Sequence, residues 1–377
     1  MMKAFHNSTR GIDWVLVGSI IPLLLGSIAT MTSFGGDRSF FNHQLLWVGV
    51  ALALMFIIAR IDMRFFRDSR YISLLYMGAL GLLVLVLIVG KTVKGAQSWF
   101  SFGSFSFQPT DIVKLVVIAV LAKYFARRHV EIARLKHLFV SALYALIPIG
   151  LIMLQPDFGS AMVVAAIWLG MALVAGIKKR HILLVFGAAL VTFLVAWFAL
   201  FKPYQKARIE TFINPTSDIR GSGYNAYQSV IAVGSGGILG KGFGYGTQSR
   251  LNYLPEYQTD FIFAAFAEEW GLFGALIVIA SFCVFVWRIL LHARRGASNF
   301  ETLFCAGYAI CIFSHVIVNI GMNIRIMPVT GIPLPFMSYG GSHLLGESIG
   351  LGIILSMARY ERASHPDDMN NEFFGYA

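Results

Sequence analysis

Four carboxylates stand together in the stretch LPEYQTDFIFAAFAEEWG, residues 254–271, which leads into an apolar run. They are Glu256, Asp260, Glu268 and Glu269. A carboxylate held near a hydroxyl group can act as a general base, and it can also share a divalent cation with an anionic ligand. The plainer alternative is that these acids are hydrated side chains at a helix start, where the helix dipole favours negative charge. The surrounding chain has to decide between the two.

The composition makes such acids unusual. The 377-residue chain is 57% hydrophobic and only 13% charged, whereas soluble proteins have about 25% charged residues. This predicts an all-α integral membrane protein. Ten apolar stretches approach the length that crosses a bilayer and predict about ten transmembrane helices: 13–34, 41–59, 71–90, 111–126, 138–154, 158–177, 181–201, 260–291, 302–324 and 341–358.

These stretches predict one polytopic transmembrane domain over residues 1–358. A long extracytoplasmic segment, about 201–259, joins the seventh and eighth helices, and a short cytoplasmic tail follows at 359–377. A connection well beyond about 15 residues is usually functional or disordered. This one is rich in glycine and aromatic residues, so we expect it to be functional.

Lys and Arg concentrate in the loops on one side of the predicted bundle, the side that also holds both termini. By the positive-inside rule this side is cytoplasmic, so both termini are predicted to be cytoplasmic. The formal net charge of +11 then lies beside anionic lipid, and no nucleic-acid partner is predicted. Three cysteines in apolar stretches lack paired spacing, which predicts neither a disulfide nor a metal site.

Polar and helix-breaking residues gather on the other side. Asp111 and Lys114 begin the fourth apolar stretch in QPTDIVK, Asp157 lies in QPDFG, and PVTGIPLPFMSYGGS occupies 328–342. Irregular backbone at membrane depth is tolerated only inside protein or around a wet cavity. We therefore expect an outward-facing cavity that includes Asp260. Its predicted structural lining is Gln108, Pro109, Gln155, Pro156, Asp157, Ser338, Tyr339, Gly340 and Gly341.

The glycine-rich stretch GSGGILGKGFGYG, residues 234–246, invites comparison with a phosphate-binding loop. A Walker motif requires Gly where this chain has Ser235 and Ser or Thr where it has Gly242. We predict a tightly packed membrane-surface segment instead, with Lys241 near a lipid head group. The two interior histidines, His315 and His343, are predicted to be packing residues, since no pair has metal-ligand spacing.

Six strings in this order resemble the SEDS family of shape, elongation, division and sporulation proteins. They are KGAQSWFSFGSFSFQPTDIVK, QPDFGSA, ARIETFINPTSDIRGSGYNAYQS, AVGSGGILGKG, LPEYQTDFIFAAFAEEWG and PVTGIPLPFMSYGGS, and they span about 94–342. TDFIF and the last string are more similar to elongation members of the family than to division members.

The resemblance implies a peptidoglycan glycosyltransferase that polymerises lipid II at the outer face of the bacterial inner membrane during elongation and cell-shape maintenance. It implies that Asp260 is the catalytic residue and that Asp111 and Lys114 are a polar pair in the central cavity. It also implies a class B penicillin-binding protein as transpeptidase partner, together with other elongation-complex membrane proteins.

The residue types suit this reaction. A sugar hydroxyl that attacks a lipid-pyrophosphate donor needs a base, and the departing pyrophosphate needs positive charge. We expect Asp260 to be the base and Glu256 to orient it or hold a cation. The predicted substrate-binding residues are the cations Lys114, Arg208, Lys241 and Arg250 together with the acids Asp111 and Glu256. No all-protein metal site is predicted, although Mg²⁺ or Mn²⁺ could bridge a carboxylate to pyrophosphate.

Two other functions remain open, a flippase or transporter of lipid-linked precursors and a non-catalytic scaffold of a cell-wall synthase. The chain also departs from the family pattern. Asp111 replaces the longer Glu of QPSE, Gln258 replaces a His, and Arg325 and Glu347 are unexpected charges. Because an unpaired charge at membrane depth is costly, we predict that Arg325 and Glu347 form an ion pair.

Overall fold

The structure is a computed structural model. It describes residues 12–33, 39–63, 66, 68–93, 96–102, 105–128, 135–195, 197–198, 203–214, 222–251 and 253–361. The predicted N-terminal cytoplasmic residues before position 12 and the predicted tail beyond position 361 lie outside the described residues.

Each of the ten predicted apolar stretches coincides with a helix. These helices are α1 Trp14–Ser33, α2 Ser39–Ile58, α3 Ser69–Val89, α4 Pro109–Arg128, α5 Leu135–Leu154, α6 Phe158–Val174, α7 Lys179–Val195, α11 Ile262–Arg295, α12 Asn299–Asn323 and α13 Gly341–Glu361. Three shorter helices lie between α7 and α11, namely α8 Pro203–Ile213, α9 Ser222–Ser235 and α10 Thr247–Arg250.

Seven of the described helices are long and apolar enough to cross a membrane, and they are α1, α2, α3, α5, α11, α12 and α13. Helices α6 and α7 are shorter, at 17 residues each. Helix α4 carries Asp111 and Lys114 in its first half, and it is buried along most of its length. It is therefore surrounded by other helices instead of lipid.

The expectation of an all-α chain is wrong between α3 and α4, where three short antiparallel strands form a sheet in the order β1-β2-β3. The strands are β1 Lys91–Val93, β2 Ala96–Phe102 and β3 Phe105–Phe107. The string WFSFGSFSF alternates aromatic and serine residues, which is a strand periodicity. In the β2–β3 pairing Phe100 faces Phe107, and Ser101 faces Ser106.

Helix α4 lies at the centre of the helical bundle. It packs against α3, α12 and α6, while α12 also packs against α11 and α6. Helix α13 packs against α2, and α11 packs against α1. The arrangement brings the polar start of α4 next to α12 and α13, so the charged residues of three helices can meet inside the bundle.

Helix α11 is broken at Gly271, whose φ of 64° and ψ of −164° are not helical. The glycine-rich loop, residues 236–246, pairs with both sides of this break. Leu272 N donates to Gly237 O at 2.9 Å, and Lys241 N donates to Glu268 O at 3.0 Å. A Cβ on Gly240 would lie 2.0 Å from the carbonyl oxygen of Glu269. The predicted tight packing of this loop is confirmed, and it depends on glycine because two backbones touch.

Candidate functional site

Asp260 lies at the end of the turn that precedes α11. Its carbonyl oxygen accepts hydrogen bonds from Nδ2 of Asn319 and Nδ2 of Asn323, both at 3.0 Å. The carboxylate faces Gly331, because its Oδ2 lies 3.6 Å from the position of a Cβ on that glycine. Asn319 and Asn323 are one turn apart on α12. Two amides of α12 therefore fix the backbone of Asp260.

Glu256 shapes the same turn. Its φ of 58° is left-handed, and its Oε2 accepts a hydrogen bond from Thr259 Oγ1 at 3.0 Å. The main chain closes the turn through Phe261 N, which donates to Glu256 O at 3.2 Å. Glu256 and Asp260 thus belong to one compact turn, residues 256–261, which is here called the catalytic turn after the role predicted for Asp260.

Two residues of the segment before α13 bind this turn from outside. Ser338 Oγ donates to Thr259 O at 2.6 Å, and Tyr339 N donates to Gln258 O at 2.8 Å. Burial raises the pKa of the Tyr339 hydroxyl above its ordinary value. A raised pKa keeps that hydroxyl protonated at neutral pH, where it is a hydrogen-bond donor and not a base.

The interior of the bundle holds a second polar group, here called the interior ion cluster: Asp111, Lys114, His315, His343 and Glu347. Lys114 Nζ lies 3.1 Å from Asp111 Oδ1 and 3.2 Å from His315 Nε2. His343 Nδ1 lies 3.2 Å from Asp111 Oδ1. The shorter acid in QPTD therefore still reaches Lys114.

A small cavity of about 20 Å³ lies among these side chains and is also lined by Tyr308 and Cys311. A cavity of this size has room for about one water molecule. Within the described part of the chain, no group of three His, Cys, Asp or Glu residues is arranged to hold a metal ion. Cys283, Cys305 and Cys311 are free thiols.

Glu347 completes the cluster. Its Oε1 lies 2.7 Å from His343 Nε2, and its Oε2 accepts a hydrogen bond from Phe336 N at 2.7 Å. The predicted ion pair between Arg325 and Glu347 is wrong, because Glu347 finds His343 one helical turn away on the same helix. The prediction that His343 is a packing residue is wrong for the same reason.

His315 also does more than pack, since it lies beside Lys114 and contacts the backbone before α13. Its Nδ1 lies 3.2 Å from Pro333 O, and its ring stacks on that of His343 with centroids 5.1 Å apart. Sequence reasoning missed this role because each histidine is isolated along the chain. The sequence signal that could have indicated this role was His315 within an apolar stretch, together with Lys114 at a similar depth of another predicted transmembrane helix.

The predicted cavity lining forms the seam between α4, α6 and α13. Gln108 Nε2 donates to Asp157 Oδ2 at 3.1 Å, and Gln108 N donates to Ser342 Oγ at 3.0 Å. Asp157 Oδ1 also caps α6 by accepting from Ser160 N at 3.0 Å. Gln155, in contrast, turns toward α3, where its Nε2 donates to Leu83 O at 3.1 Å.

Proline and glycine residues shape the same seam. Pro109 is the first residue of α4, where the missing N–H costs no helical hydrogen bond, and Pro156 lies in the turn between α5 and α6. Gly340 precedes α13 and Gly341 begins it. A Cβ on Gly341 would lie 2.5 Å from the Trp47 ring, so only glycine allows this approach.

The predicted outer cations differ in their surroundings. Lys241 Nζ lies 2.7 Å from Glu268 Oε1 and 2.9 Å from Thr247 Oγ1. Arg250 is exposed at the end of α10, with Nη1 3.4 Å from Gly244 O. Arg208 lies on α8, and its side chain is outside the described residues. The structure thus describes Lys241 as a partner of an acid and Arg250 as an exposed cation.

Glu268 and Glu269 are not hydrated acids, because they are 0% and 2% exposed. Besides Lys241, Glu268 accepts hydrogen bonds from Thr247 Oγ1 at 3.0 Å and Gln248 N at 3.1 Å. Glu269 accepts from Ser33 Oγ and from Gly244 N, both at 2.8 Å. These two carboxylates join α11 to the loop and to the end of α1.

The fold and this site define a multi-pass membrane protein with broken backbone and a carboxylate-bearing turn at one end of the bundle. Residues 10–363 match the FtsW/RodA/SpoVE family, described as cell cycle proteins, and the chain belongs to this family. The peptidoglycan glycosyltransferase MrdB of Escherichia coli K12 is 36% identical over 96% of both chains.

Solved structures give the same answer. A chain from work on the structural coordination of polymerization and crosslinking by a peptidoglycan synthase complex is 30% identical and superposes with a TM-score of 0.80. The match covers 94% of the present chain and 99% of that one. The rod shape determining protein RodA of Thermus thermophilus is 29% identical, with a TM-score of 0.69 over 94% and 98% of the two chains.

Proposed function

We propose that this protein is a peptidoglycan glycosyltransferase that polymerises lipid II at the outer face of the inner membrane during cell elongation. Its relatives include a protein named for that activity, with near full-length coverage. The observation that carries the proposal is the position of Asp260. Its backbone is fixed by Asn319 and Asn323 and its carboxylate faces the broken segment at Gly331.

In this reaction the hydroxyl of an acceptor sugar attacks the anomeric carbon of the donor, and the bond to pyrophosphate breaks. Asp260 is the base that takes the hydroxyl proton, a role that typically contributes about a hundred- to ten-thousand-fold to the rate. Two amides hold the main chain of Asp260, so the carboxylate is placed before substrate binds. Glu256 maintains the turn that presents it.

Positive charge is needed where the pyrophosphate departs. We assign Arg208 as its contact, with Arg250 and Lys241 as further cations. Arg250 is the exposed one of the last two, while Lys241 is 28% exposed and bound to Glu268. Arg250 is therefore better placed to meet an incoming anion, and Lys241 holds the loop from which Arg250 projects. Lys114, also predicted as a contact, is 4% exposed and paired with Asp111 inside the bundle, so it would reach the pyrophosphate only if the substrate enters the interior ion cluster.

A divalent cation fits the same face, because carboxylate oxygens and pyrophosphate are the hard ligands that Mg²⁺ and Mn²⁺ prefer. Glu256 and Asp260 are the residues that would hold it. With no three-residue metal group in the described part of the chain, substrate oxygens and water would supply the other ligands. Bound there, the cation would supply positive charge to the departing pyrophosphate.

We further propose ten membrane-spanning helices with both termini in the cytoplasm, which places the catalytic turn outside. The distribution of Lys and Arg supports this orientation, and ten helices fall on the ten apolar stretches. A class B penicillin-binding protein is the proposed partner. A similar chain was solved in work on a synthase complex that coordinates polymerization and crosslinking, which supports such an assembly with other elongation-complex proteins.

Two described features favour a flippase: the interior ion cluster, since charged groups buried between helices mark substrate paths in transporters, and the broken helix α11. Polymerisation of fluorescent lipid II by the purified protein separates the functions. We would compare wild type with Asp260→Ala, each with and without a class B penicillin-binding protein. Polymer formed by wild type but not by Asp260→Ala supports the enzyme. If wild type makes no polymer under either condition, the proposal is wrong and transport or scaffolding takes its place.

A further inference from the structure

The proline-rich segment, residues 328–340, contacts the catalytic turn along one side. Ser338 and Tyr339 donate to the carbonyls of Thr259 and Gln258, at 2.6 and 2.8 Å. Asn319 Nδ2 joins the two pieces directly, because it donates both to the carbonyl of Asp260 and to that of Ile332. A displacement of this segment would therefore move the backbone that presents Asp260.

The same segment contacts the interior ion cluster along its other side. Phe336 N donates to Glu347 Oε2 at 2.7 Å, and the carbonyl of Pro333 lies 3.2 Å from His315 Nδ1. Phe336 has a φ of 57°, a left-handed conformation that costs a non-glycine residue about 1–2 kcal/mol. A buried hydrogen bond to a carboxylate offsets that cost, and it keeps Phe336 in this conformation.

Glu347 is in turn held by His343. The 2.7 Å between Glu347 Oε1 and His343 Nε2 is an ion-pair contact without the angles of a linear hydrogen bond, since neither atom has a hydrogen-bond partner. The opposite ring nitrogen of His343 contacts Asp111 at 3.2 Å. A cationic His343 with Lys114 would balance the two carboxylates, which offsets the cost of burying them.

We infer that Glu347 and His343 are positioning residues for Asp260, acting through the proline-rich segment. Glu347 fixes Phe336, His343 fixes Glu347, and the segment transmits both constraints to the catalytic turn. Neither residue touches the turn itself. The role rests on the proposed glycosyltransferase function, because it concerns the placement of that reaction's base.

Two variants of Glu347 separate the anchor from its charge. Glu347→Gln keeps an oxygen that can accept from Phe336 N but loses the ion pair, whereas Glu347→Leu loses both. Because a misplacement of about 1 Å can cost about a hundred-fold in rate, we expect kcat for lipid II polymerisation to fall about that far in Glu347→Leu. A smaller fall is expected in Glu347→Gln, with KM unchanged in both. His343→Gln should resemble Glu347→Gln.

The matched control is Glu301→Gln. Glu301 and Glu347 are each 6% exposed, and each accepts a backbone N–H, in Glu301 that of Ala297 at 3.1 Å. Glu301 lies in the first turn of α12, at the opposite end of that helix from Asn319 and Asn323. Loss of a buried acid there should leave kcat near the wild-type value, so a general effect of removing such an acid would be visible in this control.

Hydrogen exchange measured by mass spectrometry tests the coupling without any activity. In Glu347→Leu we expect faster exchange in peptides covering 328–340 and 256–261, and unchanged exchange in α4, α5 and α6. Faster exchange throughout the chain, or in 328–340 alone, would overturn the inference. So would a normal kcat in Glu347→Leu. An inactive wild type would instead refute the glycosyltransferase, while the exchange result still decides whether the two regions are coupled.

Discussion

The stretch 254–271 holds two pairs of acids with opposite fates. Glu268 and Glu269 lie within α11, fully buried, and each accepts a hydrogen bond from the glycine-rich loop, Glu268 from Lys241 Nζ and Glu269 from Gly244 N. Glu256 and Asp260 lie before α11, partly exposed, in a turn held by its backbone. The first pair joins elements of the fold, and in the second Asp260 directs its carboxylate toward Gly331. Acidic residues within one stretch of 18 residues therefore differ in function through the donors around them.

The cause of the difference is the break at Gly271. The break leaves backbone N–H and C=O groups of α11 without helical partners, and the glycine-rich loop forms hydrogen bonds with them. As a result, the N–H groups of the loop and the side chain of Lys241 lie beside Glu268 and Glu269. Asp260 precedes the helix by two residues and faces Gly331 instead. Substitutions in the two regions should accordingly separate activity from stability.

The largest effect is expected from Asp260→Ala. Loss of a general base should lower kcat about a hundred- to ten-thousand-fold, while the backbone contacts to Asn319 and Asn323 remain and the melting temperature stays close to wild type. Initial rates of lipid II polymerisation and thermal unfolding in detergent measure the two quantities. Asp260→Asn, which keeps the shape, should be as inactive as the alanine variant. A near wild-type rate in either would remove Asp260 from the mechanism.

Gly240→Ala should affect stability and not chemistry. Its φ is 81° and the added Cβ would lie 2.0 Å from Glu269 O, so we expect a loss of about 3 kcal/mol in the free energy of unfolding. Gly237→Ala is the matched control, because its φ is also positive, at 54°, but nothing lies within 4 Å. It should lose only about 1 kcal/mol. Equal losses would show that the close approach of the two backbones does not matter.

Glu268→Ala should leave the N–H of Gln248, the hydroxyl of Thr247 and Lys241 without their acceptor. Leaving such groups unpaired costs about 1–3 kcal/mol, which thermal unfolding can measure. Polymerisation per folded molecule should fall far less than in Asp260→Ala, because Asp260 is unchanged and Lys241 keeps its charge, and Glu268→Gln should lose less stability than the alanine variant. A fall in kcat as large as that of Asp260→Ala would erase the distinction between the two pairs of acids.

The smallest effect concerns Asp13, a structural acid that directly precedes α1 and contacts Arg288 and His292 near the C-terminal end of α11, far along that helix from Asp260. Burial raises its pKa, but the N–H of Leu16 and the side chains of Arg288 and His292 outweigh burial, so the pKa lies below its ordinary value of 3.8. A lowered folded-state pKa stabilises the protein above the ordinary value, and this stabilisation is lost as pH falls from 3.8 through the lowered value.

Melting temperatures between pH 7 and pH 3 test this expectation. Wild type should lose more stability than Asp13→Asn over the acid end of the range, because the variant has no carboxylate to protonate. Asp13→Asn should already be less stable at pH 7, since Arg288 and His292 lose a charged partner. Parallel curves for the two proteins would contradict a stabilising role for the ionised carboxylate.

Much of the fold was predictable because apolar length is a strong signal in a membrane chain. Every predicted stretch contains a helix, including 158–177 and 181–201, whose helices are short. The sheet formed by Lys91–Val93, Ala96–Phe102 and Phe105–Phe107 was not predicted, because the family resemblance implies only helices here. The alternation of aromatic residues with serine was in fact a strand signal.

Site residues that lie within one short sequence motif were predictable, whereas those brought together by the packing of three helices were not. Asp260, Glu256 and the Asp111–Lys114 pair each lie within a short motif. His315, His343 and Glu347 come from α12 and α13, so their contacts depend on how those helices pack on α4. The same limit explains the wrong Arg325–Glu347 pair, because membrane depth alone does not say which side chains meet.

The break at Gly271 also constrains how the chain is assembled. Residues 236–242 leave the ribosome before 262–295, yet Gly237, Ile238 and the two residues after Gly240 pair with backbone atoms of α11. Until α11 has entered the membrane, this loop lacks its partners, and α11 alone is an interrupted helix whose free backbone groups are costly in lipid. Helix insertion and loop closure must therefore be completed together, late in the synthesis of this part of the protein.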